Sequence, residues 1–387
     1  MMFNTIRLPN YPGSRRFASV ESYRVIAILL VVFIHANFIT RLHLIGGRYG
    51  FIIDLPLYLL WWISVPYFFL AAGYFYGLKV RSGHDPLVLL GRSSRSLLVI
   101  FLFWVLVYSF VSRHWITAFY EQGIWQTLSA EGAHTATMLL SEHVKLLLIP
   151  GAPIYHLWFL PALITGLGTV AIVIRGRLEQ MAGSLLLILY GLTVACDVIP
   201  FEILRTYPPR MFLLGMLYTL LGWWISQQKS VSVPLALGLM AGGTMLAFAE
   251  GAALKLVFHA STGRVATYPY AGALLLVLGI FLFTLAKPTL GQTTFLPTLA
   301  RFTLGVYVSH ILIEHTLAPL HDQLPHMAAI WHFIYALSVY VLSVLLTWGL
   351  SHIPLLRKAV LRESDAAPTL LRDVATSSVQ ASSIRHY

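Results

Sequence analysis

One cysteine, Cys196, stands in 387 residues, so the chain can form no internal disulfide and no cysteine-built metal site. Acidic side chains are also scarce: fifteen Asp and Glu stand against twenty-six Lys and Arg, for a formal net charge of +11. Charged residues of both signs make up only 11% of the chain, far below what a water-soluble domain carries. Compact signatures of soluble catalysts are missing too. There is no His-x4-Asp, no Gly-x-Ser-x-Gly elbow, no phosphate-binding Gly-x4-Gly-Lys and no His-Glu-x-x-His. What fills the chain is apolar: 58% of it, with a mean hydropathy of +0.76, which identifies an integral membrane protein. In that setting the basic excess reads as the positive-inside rule and not as a nucleic-acid surface.

Hydropathy predicts an all-α bundle of ten transmembrane helices, over about 22–39, 54–77, 97–113, 156–174, 181–199, 209–226, 231–250, 270–286, 302–318 and 330–350. Arg7, Arg15 and Arg16 precede the first span and resemble a signal-peptide n-region. No small-residue cleavage site follows, so the span reads as a retained first helix. With the N-terminus inside, the inner segments hold eighteen of the twenty-six cations, which predicts that both termini are cytoplasmic. Between His114 and Tyr155 a short apolar stretch from Thr137, carrying Glu142, His143 and Lys145, reads as an interfacial or re-entrant helix over the outer mouth. Residues 363–387 are polar and rich in Ser, Thr and Ala. The domain reading is therefore a membrane domain over 1–350 and a disordered cytoplasmic tail over 351–387.

Ionisable residues inside a span are rare and by default suspected of function, and the first span has two. Arg24 and His35 are eleven residues apart, which at 100° per residue is about 20° past three full turns. They share one face about 16 Å apart along the axis, with Ile28 and Val31 between them. His35 fits two roles, a hydrogen-bonding group between helices or a general base kept neutral by its apolar surroundings. Arg24 is too far away to be its direct partner and either has its own task or snorkels to the inner headgroups beside Glu21.

Four further clusters stand out. Arg92-Ser-Ser-Arg95 places two guanidiniums on one face at the start of the third span, where they either grip a phosphate or anchor the topology. Gly73 and Gly77 have the spacing that lets a second helix approach closely. In the ninth span Glu314 follows His310 by one turn, an arrangement that suits a buried pair or an acceptor-binding site, while His315 points elsewhere. His156 and Trp158 open the fourth span at the expected outer surface.

These stretches resemble the acyltransferase-3 family of integral membrane acyltransferases. Arg24-x10-His35, Phe68-Phe-Leu-Ala-Ala-Gly73-Tyr74, Arg92-x2-Arg95, His156-Leu-Trp158 and Leu304-Gly-Val-Tyr307-Val-Ser-His310 occur in the family's order, from about Ser22 to Trp348. The resemblance implies catalytic roles for Arg24 and His35 and a donor-binding role for Arg92 with Arg95. It leaves Tyr307, His310, Glu314 and His156 as acceptor-side or bundle polar residues. Where the family often has Ser before the glycine, this chain has Ala72, so no hydroxyl role carries over. No hydrolase-like domain follows the tenth span.

The activity implied is O-acyl transfer, with acetyl-CoA as donor, no metal, and a hydroxyl of a cell-surface carbohydrate or its lipid-linked repeat unit as acceptor. The expected location is the bacterial inner membrane, with polysaccharide-assembly proteins as candidate partners and no role for nucleic acid. Two rivals share the polar features: a transporter or flippase for a lipid-linked saccharide, using Arg24, His310 and Glu314 as a path, and a membrane-bound O-acyltransferase of the other large family.

Overall fold

Lipid cannot satisfy a backbone amide, so a chain this apolar must pair its N–H and C=O groups within itself, and helices are the solution it adopts. The structure, a computed structural model, describes residues 5–7, 17–36, 51–111, 115–142, 155–198, 210–228, 230–261, 265, 268–322 and 329–361. Its principal helices are α1 (Ala18–His35), α2 (Phe51–Arg81), α3 (Pro86–Tyr108), α4 (Trp115–Gln122), α5 (Ile124–Glu142), α6 (Phe159–Arg175), α7 (Ala182–Val198), α8 (Arg210–Ser226), α9 (Val233–Ala252), α10 (Ala271–Ala286), α11 (Thr303–Asp322), α12 (Ala329–His352) and α13 (Pro354–Val360). A 3-10 turn, Tyr155–Trp158, leads into α6. Each of the ten ranges read as spans overlaps one of these helices. Among the described residues seven helical stretches are long and apolar enough to cross a membrane, and α10 is a shorter apolar one.

The helices start where the sequence supplies the missing acceptors. Asp85 caps α3, its carboxylate accepting from Leu87 N–H at 2.9 Å and Val88 N–H at 3.0 Å, with Pro86 at the first helical position. The first amides of α10 are met from another helix. Glu250 of α9 accepts from Ala271 N–H at 3.0 Å and Gly272 N–H at 2.9 Å, a carboxylate set against the positive end of the helix dipole.

Packing of the central pair, α2 against α8, depends on absent side chains. A Cβ on Gly73 would lie 1.9 Å from the Thr219 carbonyl oxygen, and one on Gly222 would lie 2.1 Å from that of Leu70. The backbones therefore touch, as the spacing of Gly73 and Gly77 predicts.

Three contacts join segments expected on the cytoplasmic side. Strand β1 (Thr5–Arg7) pairs antiparallel with β2 (Ser230–Ser232), Ile6 opposite Val231. Ser19 N–H donates to the Pro288 carbonyl at 3.3 Å, and the Arg81 guanidinium donates to the Ser226 carbonyl at the end of α8. At the other end of the bundle the Tyr190 hydroxyl donates to Pro269 at 3.2 Å.

Two sequence expectations fall partly outside the described residues. Residues 137–142 form the end of α5, whereas His143 and Lys145 lie outside. The stretch 351–387 opens with α13, whose Ala359 and Val360 are buried and whose Ala359 carbonyl accepts from Trp104 Nε1 at 2.9 Å. Residues 362–387 lie outside the described set.

Candidate functional site: an imidazole cluster at the end of a cavity

Three polar side chains of α1, Ser19, Arg24 and His35, meet partners on later parts of the chain. Ser19 Oγ donates to the Thr284 carbonyl at 2.5 Å, and Arg24 Nη2 donates to Thr303 Oγ1 at 3.0 Å. The Thr303 hydroxyl spends its own proton on the Ala300 carbonyl at 2.9 Å, which turns its lone pairs toward the guanidinium. At the far end of the face His35 Nδ1 hydrogen-bonds the Tyr155 hydroxyl at 2.9 Å. Between the two, Ile28 and Val31 are buried.

His35 belongs to a cluster. Its ring centroid is 5.0 Å from that of His310 on α11 and 5.7 Å from that of Tyr155, and His310 is 5.6 Å from His156. His310 is wholly buried, with Nδ1 2.7 Å from the Tyr307 carbonyl and 3.2 Å from that of Val306. Its Nε2 is buried and has no hydrogen-bond partner among the described residues. The expected pairing of His310 with Glu314 is not formed. One turn of separation would allow it, but the imidazole folds back onto the carbonyls of its own helix instead.

His156 is buried within the bundle, in the 3-10 turn before α6 and against two tyrosines. The Tyr108 ring meets it edge-on at 4.6 Å, and the Tyr307 hydroxyl donates to its carbonyl. Trp158 is half-buried, tilted against Phe69 at 6.1 Å.

Tyr108 also acts on α11. Its hydroxyl donates to the Val308 carbonyl at 2.8 Å and accepts from Leu312 N–H at 3.0 Å, the two groups that a regular α-helix joins directly. His310 sits within the turn that this hydroxyl braces.

Beneath the cluster lies a cavity of about 270 Å³. On α2 its lining runs from Lys79 to Val65, fourteen residues or about 21 Å of helix. Lys79 is exposed at one end of that lining, with Ser93 of α3 beside it; the walls are largely apolar, including Phe68, Phe75 and Phe159. At the other end Val31 and Tyr307 line it, each one turn before His35 and His310 respectively. Arg24 and Thr303 project into its side. The shape suits a long, thin ligand that is anionic at its outer end.

Arg92 and Arg95 share a face of α3, as their spacing predicts, and both are exposed. That face is turned from the cavity, which takes Leu89, Ser93 and Leu97 from the adjacent stripe. The pair therefore flanks the opening without lining it. Sequence reasoning missed Tyr155, Tyr108, Thr303 and Lys79. None has a motif of its own: each is an ordinary residue in an apolar or loop setting whose role comes from its partner. Among the described residues no group of three or more His, Cys, Asp or Glu side chains is placed to hold a metal ion.

Comparison with known proteins gives one match. A family model described as an acyltransferase domain matches residues 17–352. No curated protein and no solved structure matches the chain.

Proposed function

We propose, from the premise that the chain belongs to this acyltransferase-3 family, that it moves an acetyl group from cytoplasmic acetyl-CoA to a hydroxyl of a cell-surface carbohydrate, across the membrane in which it is embedded. The observation that carries the reading is the cavity, which begins at Lys79 and Ser93 and stops one turn short of two imidazoles, buried His310 and half-buried His35. In this reading the CoA phosphates sit at the opening, where Lys79, Arg92 and Arg95 supply positive charge. The phosphopantetheine arm lies between Phe68, Phe75 and Phe159, and Arg24, held by Thr303, steadies its polar amides. The thioester then stands at the head of the cavity beside His35. Water is kept from the reactive carbonyl by the apolar wall.

The acceptor enters from the opposite side, which puts its hydroxyl within reach of the imidazole cluster. There a neutral ring removes the hydroxyl proton as oxygen attacks the thioester carbon. A thioester is already an activated donor, so positioning and proton transfer supply the catalysis.

The test uses purified protein in oriented vesicles. With acetyl-CoA on the cytoplasmic face and a polysaccharide acceptor on the other, free CoA and acetylated acceptor should appear together, and His35→Gln should lower the rate at least ~100-fold. Movement of a lipid-linked saccharide without CoA release would overturn the reading in favour of a flippase.

A further inference from the structure

Two imidazoles face each other at the head of the cavity, and their hydrogen bonds make them unlike. His310 Nδ1 approaches two backbone carbonyls, of Tyr307 at 2.7 Å and Val306 at 3.2 Å. A carbonyl has no proton to give, so Nδ1 carries the hydrogen in both contacts. In the neutral ring the lone pair is then on Nε2, which is the nitrogen buried without a partner among the described residues. An unpaired buried acceptor is costly to keep, and a ligand hydroxyl would satisfy it.

His35 is set the other way. Its Nδ1 is 2.9 Å from the Tyr155 hydroxyl. A phenol is a stronger acid than a neutral imidazole N–H, and an imidazole lone pair is a stronger base than a phenol oxygen, so the tyrosine donates. That leaves the hydrogen of His35 on Nε2, in a ring whose centroid is 5.0 Å from that of His310. The cluster thus presents one lone pair and one N–H.

We infer that the two histidines divide the reaction between them: His310 Nε2 takes the acceptor proton, and His35, held by Tyr155 as the Nε2–H form, donates to the thioester oxygen. This rests on the acyltransferase reading and names a further catalytic residue, His310, with Tyr155 as a positioning residue. The acceptor oxygen bonds the carbonyl carbon while its proton passes to His310 Nε2. Charge collects on the former carbonyl oxygen, which accepts a hydrogen bond from His35. Collapse breaks the C–S bond, and the departing thiolate recovers the proton from His310. Ester and free CoA are the only products, and both imidazoles return to their starting forms.

Tyr108 braces the turn that carries His310. Its hydroxyl bonds the Val308 carbonyl and the Leu312 N–H, one on either side of His310 in the chain.

The first measurement is nitrogen-15 NMR of histidine-labelled full-length protein, with signals assigned by their loss in His35→Gln and His310→Gln. His35 should appear as the Nε2–H tautomer and His310 as the Nδ1–H tautomer. Tyr155→Phe should move His35 toward the other form and leave His310 unchanged. The second measurement is acyl transfer, in which His310→Gln should lower kcat ~100-fold or more with the KM for acetyl-CoA within about 3-fold. Tyr155→Phe should lower kcat by about 10-fold through the tautomer alone. An Nδ1–H form of His35, an imidazolium at position 310, or a His310→Gln enzyme that keeps a third of its kcat would each overturn the assignment. The tautomers are read without turnover, so a failure of the acyltransferase reading shows separately, as a parent protein with the expected tautomers and no CoA release.

Discussion

Replacing Gly73 by alanine tests the contact on which the centre of the bundle depends. The new methyl group would stand 1.9 Å from the Thr219 carbonyl oxygen and 2.8 Å from its carbon, with the Trp223 amide nitrogen at 3.0 Å. All three are backbone atoms, so no rotamer change relieves the overlap. Ordinary contact near 3.4 Å returns only if α2 and α8 part by roughly 1.5 Å, which loosens packing along both helices. Overpacking of a core costs about 1–3 kcal/mol, and a backbone-against-backbone clash belongs at the top of that range. At about 2 °C per kcal/mol for a large domain, the melting temperature in detergent should fall by about 6 °C. Ala71, Ala72 and Phe75 flank the substitution and line the cavity, so the KM for the acyl donor should rise as well. Gly91→Ala is the control: a Cβ there meets nothing within 4 Å, and helix propensity alone should leave stability unchanged or raised by up to ~1 kcal/mol. The assay is thermal unfolding of both variants beside the parent, followed by intrinsic fluorescence. A Gly73→Ala protein that melts within about 1 °C of the parent would refute the close approach of α2 and α8.

Glu250→Gln leaves one acceptor oxygen where the carboxylate offered two to the start of α10, and should cost roughly 1–2 kcal/mol, read as a lower melting temperature. With Cys196 replaced by Ser, cysteines at the paired positions Ile6 and Val231 should cross-link on mild oxidation, and failure to do so would separate β1 from β2. Lys at both Arg92 and Arg95 keeps the charge but loses the forked donors, so acetyl-CoA affinity should weaken by about 10-fold or less, since the pair flanks the cavity; an unchanged dissociation constant would leave the two as topology anchors.

Much of the fold could be read from apolar length alone, because lipid leaves a spanning backbone only one way to satisfy itself. The register of Arg24 with His35 was equally plain, since it depends on nothing but 100° per residue. What periodicity along one helix cannot reveal is the neighbouring helix. Tyr155 lies 120 residues from His35, and Thr303 lies 279 from Arg24, so no local pattern announces either. Arg92 and Arg95 show the same limit. Their shared face was readable, but the direction of that face is fixed by how Leu89, Ser93 and Leu97 meet the cavity. For His310 the one-turn spacing to Glu314 suggested a pair, and the competing acceptors were backbone carbonyls, which carry no sequence signal. The two tyrosines that enclose His156, Tyr108 and Tyr307, stand 48 and 151 residues away in the chain, so its burial had no local signal either.

The partners of α1 also set an order on assembly. This helix leaves the ribosome well before its partners, so Ser19 waits for Thr284 and Arg24 for Thr303. At roughly 5–20 residues per second those 279 residues take on the order of 15–55 s. For that interval the nascent chain carries a guanidinium in or near lipid without its hydroxyl partner, a rare and costly placement. The half of the site that α1 supplies is thus translated early and closed late. Interruption of synthesis anywhere before α11 leaves an inserted protein that holds His35 and has no His310 to face it.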